Sequence, residues 1–182
     1  MLFIKGYTHT MTMLDIINVP DPLLKSLSDP VEKVDDALRQ LMDNMLDTMY
    51  GAPGIGLAAI QVGVPRRVIV LDVEGDDETK KPLYFANPEI VWESPEISVY
   101  NEGCLSVPDH YAEVERPASV KVKYLDYNGK AQEQLVDGLL STCIQHEIDH
   151  LDGIVFIDYL SRLKRNMIIK KVQKATKDTV VL

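Results

Sequence analysis

Apolar positions recur at steps of three and four along residues 31–50, a spacing that predicts an amphipathic helix. Such a helix places one face on the core and leaves the opposite face in solvent. Asp29-Pro30 or Asp35 is suited to cap its start, and Gly51 ends it. The apolar stripe consists of Val31, Val34, Leu38, Leu41, Met42, Met45 and Met49.

Between residues 67 and 137 the pattern changes to short apolar or alternating runs separated by turn residues, as is typical of β-strands. The pair Asn128-Gly129 lies between two alternating segments and predicts a hairpin with a two-residue turn. The acidic segment Glu74–Glu78 is expected to be a solvated connection. The clearest strand candidates are Val68–Val73, Pro82–Trp92 and Val120–Leu125.

Helical spacing returns in two segments near the C-terminus. In residues 139–152 apolar residues cover much of the circumference, so this helix should be largely buried, and Gly153 is placed to end it. A last helix near Ser161–Lys177 carries bases on one face and apolar residues on the other. The order of these elements favours an α+β fold over alternating βαβ units. The apolar face consists of Leu160, Leu163, Met167, Ile168 and Val172. We expect Leu163, Met167, Ile168 and Val172 to pack on the body of the protein and to leave the bases facing outward.

The composition is that of a single globular domain. Of the 182 residues 46% are hydrophobic and 26% are charged, which is enough for one core and excludes a disordered chain. No apolar run approaches the roughly 18 residues of a membrane span, and the first ten residues lack the apolar segment of a secretory signal. With only two cysteines, Cys104 and Cys143, we expect a cytoplasmic protein with free thiols.

Charge divides the chain into an acidic body and a basic tail. The net charge of −9 disfavours general nucleic-acid binding. Residues 161–182 hold seven basic residues and one acidic residue, a net charge of +6, so the other 160 residues carry −15. Such a tail indicates a negatively charged partner, although the solvated face of a terminal helix gives the same pattern.

The segment from His146 to His150, His-Glu-Ile-Asp-His, is an H-E-x-x-H motif inside the helix expected to be buried. Positions four apart share one face of a helix, so both imidazoles can bind one metal ion. Glu147 lies close enough to accept a proton from a water molecule at that metal. Because two buried histidines and an acid are costly without a metal, we interpret the motif as a metal site rather than as core histidines.

A catalytic site of this kind needs a third protein ligand and an open position. In the longer pattern H-E-x-x-H-x-x-G-x-x-H, Gly153 matches the glycine, but Phe156 replaces the third histidine, and no glutamate follows Glu147. The third ligand must therefore come from upstream or be an aspartate. The upstream candidates are His9, His110, Cys104 and Cys143.

The two cysteines differ as possible ligands. Cys143 precedes His150 by seven residues, about 10 Å of helix rise, which is too far for good geometry at one ion. We expect Cys143 to pack in the core or line a pocket. Cys104 follows a glycine and precedes a proline by four residues, so it lies on a loop or bent strand that can reach a helix. A ligand set of Cys104, His146 and His150 with one open position is favoured.

A third stretch, Gly54–Gly63, is rich in small residues that permit close approach of its backbone to a ligand or a helix. It lacks the third glycine of a dinucleotide site and the lysine of a P-loop. Within it, Gln61 offers an uncharged amide donor suited to stabilise a developing oxyanion.

Three motifs in this order, GIGLAAIQ (Gly54–Gln61), EGCLS (Glu102–Ser106) and QHEIDH (Gln145–His150), resemble the signatures of the peptide deformylase family. The resemblance runs from about Asp15 through the last helix. It implies one catalytic domain, residues 12–182, after an N-terminal extension of residues 1–11. It also implies antiparallel β-sheets around a central buried helix that carries the H-E-x-x-H motif. The implied reaction removes the formyl group from the N-terminal formylmethionine of newly synthesised polypeptides and releases formate.

The resemblance also implies a cofactor and a role for each site residue. The cofactor is one Fe²⁺ per chain, with Zn²⁺, Ni²⁺ or Co²⁺ as possible substitutes, and its ligands are Cys104, His146 and His150. Glu147 is the general base, while the Gln61 side chain and the Leu105 backbone N–H stabilise the oxyanion. The residues that bind the substrate, among them the wall of a methionine pocket, are Ile55, Gly56, Glu102, Gly103, Leu139, Thr142 and Cys143.

The implied partners are formyl-methionine nascent peptides and, through the basic last helix, the ribosome, with no membrane and no sequence-specific nucleic acid. Tyr111 stands where many similar proteins have an arginine, which leaves the contacts to later substrate residues open. An H-E-x-x-H zinc endopeptidase and a non-catalytic metal-stabilised binding module are the alternatives. The missing third ligand of the endopeptidases argues against the first, and the intact Glu147 with an open coordination position argues against the second.

Overall fold

A computed structural model of the protein describes residues 12–75 and 79–180, and within these ranges three α-helices accompany seven β-strands. The α+β class with antiparallel sheets is confirmed. The extension expected at residues 1–11 and residues 76–78 of the acidic segment lie outside the described residues. The elements are α1 (Asp36–Gly51), β1 (Gly56–Ala58), β2 (Val68–Leu71), β3 (Leu83–Glu93), β4 (Ile97–Cys104), β5 (Val107–Pro117), β6 (Ser119–Leu125), β7 (Ala131–Asp137), α2 (Gly138–Leu151) and α3 (Arg162–Val180).

The larger sheet has five antiparallel strands in the order β1-β2-β3-β6-β7, and a helix covers each of its faces. All four residues of β2 are buried because they alternate between those faces. Val68 and Val70 pack with the buried methionines of α1, whereas Ile69 and Leu71 pack with the apolar residues of α2. This double coverage explains why β2 is a continuous apolar run in the sequence.

Strands β4 and β5 form a separate two-stranded sheet whose register shifts between Gly103 and Cys104. The sequence pattern does not identify β5 as a strand, and it predicts only a loop or bent strand at the Cys104 end of β4. The reason is that β4 is largely exposed and lacks an apolar run. The inner side of β5 packs, together with the 3₁₀-helix Phe156–Tyr159, against the buried residues Ile168 and Val172 of α3.

The helices agree with the sequence pattern except at the start of α1 and on part of the apolar face of α3. Asp35 caps α1 by accepting a hydrogen bond from the Leu38 backbone N–H, so the helix begins after Val31 and Val34. Gly153, with φ of 75°, follows the end of α2, as expected for a residue in the left-handed region. The expected packing of Leu163 and Met167 on the body is wrong, because 73% and 52% of their surfaces are exposed.

The hairpin between β6 and β7 also differs in detail from the expectation. The Asp126 backbone N–H donates to the Lys130 carbonyl, so the loop has three residues, 127–129, rather than two. A type I turn followed by glycine gives such a loop, and Asn-Gly suits it as well as the shorter turn. No helix within the described ranges is both long and apolar enough to cross a membrane.

Candidate active site

Helix α2 brings the three chemically active residues of the H-E-x-x-H motif into the interior. His146 and His150 lie one turn apart with ring centroids separated by 5.0 Å. His150 is fully buried, and His146 and Glu147 are 8% and 4% exposed. Because α2 is apolar around most of its circumference, it packs between strands of both sheets and holds these polar groups away from bulk water.

Cys104 reaches the two histidines from the other sheet. It ends β4, where the register shift turns the chain, and its Sγ lies 3.2 Å from His150 Nε2. One sulfur and two imidazole nitrogens from Cys104, His146 and His150 all lie within 4.8 Å of one another. Ligand atoms around a tetrahedral ion with bonds of about 2.0–2.3 Å are about 3.3–3.8 Å apart, so small side-chain rotations suffice to close this set around a metal.

The donor chemistry fits a transition metal. A thiolate and two neutral imidazoles suit Zn²⁺ and Fe²⁺, whereas Mg²⁺ and Ca²⁺ prefer oxygen ligands. Cys143 lies on the same helix but differs in character. Burial raises the pKa of its thiol to about 12, so it stays protonated at neutral pH and lines the cavity wall.

Glu147 lies at the same cavity with one free oxygen. Its Oε2 is buried and has no hydrogen-bond partner among the residues that the structure describes. Burial raises the pKa of Glu147 to about 7, which places its protonation change near neutrality. Gly56 lies against the carboxylate, and a Cβ at this position would collide with Glu147 Oε1. A glycine is therefore needed where β1 passes the acid.

Gln61 is anchored beside the thiol by three contacts. Its Oε1 accepts from the Ala58 backbone N–H at 2.8 Å, while its Nε2 donates to Ser106 Oγ at 3.0 Å and lies 3.4 Å from Cys104 Sγ. The side chain is 1% exposed, so these contacts fix the direction of the amide donor. Leu105, the next residue after Cys104, also borders the cavity.

Every site residue expected from the sequence, except His150, lines one cavity of about 590 Å³. His150 contacts Cys104 of the cluster through its buried Nε2. Apolar and small side chains form one part of the wall, and Tyr100 and Tyr111 line another. The expected substrate-binding residues found there are Ile55, Gly56, Glu102, Gly103, Leu139, Thr142 and Cys143.

Comparison with known proteins agrees with this geometry. The sequence model of the polypeptide deformylase family matches residues 13–166. The chain belongs to that family. A peptide deformylase from Phenylobacterium zucineum is 61% identical over 167 residues, which cover 92% of this chain and 99% of the relative.

Solved deformylase structures share the fold. A crystal structure of peptide deformylase from Ehrlichia chaffeensis superposes with a TM-score of 0.88 at 43% identity, covering 93% of this chain and 99% of the other. A second structure from the same organism, in complex with actinonin, gives 0.85 at 46% identity and covers 91% and 98%. The family resemblance stated on three motifs is thereby confirmed over nearly the whole chain.

Sequence reasoning missed one member of the deformylase site, Arg116. Its guanidinium binds both oxygens of Glu102, and Glu102 Oε2 in turn accepts a hydrogen bond of 2.8 Å from His146 Nδ1. Burial opposes ionisation of Glu102, but the hydrogen bonds from His146 and Arg116 outweigh it and hold its pKa below the ordinary value. An available signal was the alternation of β5, where Ala112, Val114 and Arg116 all point inward.

Tyr111, expected to differ from many relatives, pairs with Gly103 across the β4–β5 hairpin. Its ring lies against the glycine Cα, in space that a Cβ at Gly103 would occupy. The side chain is 66% exposed and borders the cavity. It therefore presents an aromatic edge at the cavity rather than a positive charge.

Proposed function

We propose that this member of the polypeptide deformylase family removes the formyl group from the N-terminal formylmethionine of newly synthesised polypeptides and releases formate. The observation that carries the proposal is the cluster of Cys104, His146 and His150 donor atoms beside the free oxygen of Glu147. Residues 12–182 would form the single catalytic domain, with α2 as its central helix.

The cofactor we propose is one Fe²⁺ per chain, which Zn²⁺, Ni²⁺ or Co²⁺ can replace. Cys104, His146 and His150 would hold it, since their donor atoms form a compact set of sulfur and nitrogen ligands. When bound, such a metal lowers the pKa of a water molecule and polarises a carbonyl oxygen.

Glu147 would serve as the general base and then as the general acid. Its buried Oε2 has no other partner among the described residues, and its raised pKa, about 7, suits both acceptance and return of a proton near neutral pH. The carboxylate would take a proton from the attacking water and deliver it to the departing amine of methionine.

Two donors would stabilise the negative charge that develops on the formyl oxygen. Two hydrogen bonds direct Gln61 Nε2 toward Cys104 Sγ: Nε2 donates to Ser106 Oγ, and the amide Oε1 accepts from the Ala58 backbone N–H. The Leu105 backbone N–H follows directly on Cys104. Fixed donors of this kind need no reorganisation during the reaction, which is the source of their effect.

The methionine side chain would lie in the apolar part of the cavity, against Ile55, Leu139 and Cys143, with Thr142 beside them. Among the described residues, β1 is an edge strand of the larger sheet, and β4 and β5 each pair on one side only. An extended peptide can therefore pair with Gly56 on one side and pass Glu102 and Gly103 on the other.

The setting we propose is the cytoplasm, at ribosomes. Seven of the eight charged residues in the region 161–182 are basic, and Lys170, Lys171 and Lys174 are exposed on α3. Such a face is attracted to RNA phosphates without reading their sequence.

Formate release tests the proposal directly. The Fe²⁺- or Co²⁺-loaded protein should release formate from a formyl-methionyl tripeptide and leave the same unformylated peptide intact. Cleavage of internal peptide bonds would instead indicate an endopeptidase. Binding of metal without either reaction would indicate a metal-stabilised binding module.

A further inference from the structure

Arg116 connects two carboxylates that belong to different elements of the fold, the buried Glu102 and the partly buried Asp149. It lies near the end of β5 and is 5% exposed. Its Nε and Nη2 donate to the two oxygens of Glu102 on β4, at 2.6 and 3.0 Å. Its Nη1 donates to Asp149 Oδ2 on α2, at 2.8 Å. Arg116 therefore ties the β4–β5 hairpin to the motif helix.

The candidate metal ligands come from the same two elements. Cys104 follows Glu102 by two residues on the hairpin, and His146 and His150 flank Asp149 on α2. Glu102 accepts a hydrogen bond from His146 Nδ1, whereas His150 Nδ1 is buried without a partner among the described residues. With no bond to its Nδ1, the His150 imidazole is positioned by α2 and by the contact of its Nε2 with Cys104 Sγ on the hairpin.

We infer that Arg116 is a positioning residue that sets the separation between the Cys104 thiolate on the hairpin and the imidazoles of His146 and His150 on α2. The guanidinium is suited to this because its planar fork binds Glu102 through two nitrogens and still presents a third nitrogen to Asp149. This inference rests on the metal site of the proposed function.

Tyr159 supports the same arrangement from the solvent side. Its hydroxyl donates to Asp149 Oδ2 at 2.9 Å, and its ring lies 5.2 Å from the Arg116 guanidinium carbon. Asp149 Oδ2 thus accepts two hydrogen bonds, which restricts its rotation. A purely structural role for Arg116, neutralising the carboxylates of Glu102 and Asp149, would require only a positive charge, and a lysine would supply it.

The deciding experiment compares Arg116→Lys with Arg67→Lys. The control alters the ion pair of 2.6 Å between Arg67 and Asp152 just after α2, which involves neither Glu102 nor Asp149. Co²⁺ affinity is measured by competition with a chelator, the metal geometry by the visible spectrum of the Co²⁺ protein, and folding by circular dichroism. We expect Arg116→Lys to fold, to lose about 10–100-fold in Co²⁺ affinity and to change the cobalt spectrum. Arg67→Lys should match the wild type in both metal measurements.

A folded Arg116→Lys variant with wild-type Co²⁺ affinity and spectrum would overturn the inference, even if its melting temperature were lower. If this variant does not fold, Asp149→Asn decides in its place, because it weakens the tie to α2 while Arg116 and Glu102 remain paired. Unchanged cobalt binding in that variant would equally overturn the inference. Since no substrate is used, failure of the wild type to release formate would contradict the proposed function and leave this test intact.

Discussion

Helices α2 and α3 both carry apolar residues at helical spacing, yet they lie in opposite environments. Ten residues of α2 are buried, including both histidines and Glu147, whereas Ile168 and Val172 are the buried side chains among those described on α3. Ionisable groups on α2 are desolvated, and specific hydrogen-bond partners hold His146 and Asp149, so the fold sets their proton affinities. Arg165 on α3 pairs with Asp158, whereas Lys170, Lys171 and Lys174 are exposed and hydrated and would attract a charged partner at long range. Substitutions on α2 should therefore affect catalysis or metal binding, whereas substitutions of the α3 bases should affect only the attraction of a charged partner.

The largest effect should come from Glu147→Ala on α2. We expect kcat to fall at least about 100-fold, because proton transfer by a positioned side chain contributes about 10²–10⁴-fold. Metal content should stay at the wild-type level, since no ligand is removed. Formate release and metal analysis measure the two quantities, with Lys174→Ala on α3 as the control. Wild-type turnover in Glu147→Ala would show that Glu147 is not the general base, despite its burial on α2.

Gln61→Leu tests a hydrogen-bond donor of the active site that lies outside α2. The replacement keeps similar volume but removes the amide held by Ala58 and Ser106. Loss of one oxyanion donor typically lowers kcat about 10²–10³-fold with less effect on KM. Steady-state kinetics with a formyl-methionyl peptide separate the two constants. A change confined to KM would place Gln61 in ground-state binding instead.

Substitutions of Cys104 and Cys143 test whether a position on α2 near the motif is enough to make a cysteine a metal ligand. Cys104→Ser should lose metal on gel filtration, because it removes the sulfur that lies 3.2 Å from His150 Nε2. Cys143→Ser should retain near wild-type stoichiometry, because its buried thiol has a pKa raised to about 12 and does not ionise at neutral pH. Metal analysis of both variants decides the point. The opposite pattern of retention would contradict the ligand set.

The motif residues could be located from sequence because a helix fixes the distance between positions four apart. His146 and His150 needed only that periodicity, and Cys104 followed because no residue downstream of the motif completed a known ligand pattern. Arg116 was missed because its partners, Glu102 and Asp149, are 14 and 33 residues away and meet only in the folded chain. Strand β4 was missed as a strand because its exposed surface leaves no apolar alternation.

The α3 face shows the opposite limit of sequence patterns. Leu163, Met167, Ile168 and Val172 form one stripe at helical spacing, but the body of the protein contacts only part of it. Periodicity gives the direction of an apolar face and carries no information about how much surface is available to cover it. The exposed end of the stripe is therefore a property of tertiary packing, and it cannot be derived from the helix alone.

Ile168→Ala and Leu163→Ala should separate the covered and uncovered parts of that stripe. Ile168 is 6% exposed in contact with the hairpin core, so its truncation should destabilise the protein by about 2–5 kcal/mol. Leu163, 73% exposed, should change stability by no more than about 0.5 kcal/mol. Urea unfolding of the two variants gives the difference. Equal losses would show that both residues pack on the body, as the sequence pattern alone predicts.

The smallest effect on catalysis, and the clearest contrast with α2, should come from reversing Lys170, Lys171 and Lys174 to Glu. These side chains are exposed, and none borders the cavity that contains the catalytic cluster, so hydrolysis of a short formyl peptide should stay within about twofold of the wild type, as for ordinary surface changes. Binding to ribosomes should weaken, and its dependence on salt should become less steep, because each lost phosphate contact removes about one released counterion. Sedimentation with ribosomes at several salt concentrations measures both. Wild-type affinity at low salt would mean that the bases of α3 are only the solvated face of a helix. The two helices would then differ in burial, and the basic face of α3 would have no role in binding ribosomes.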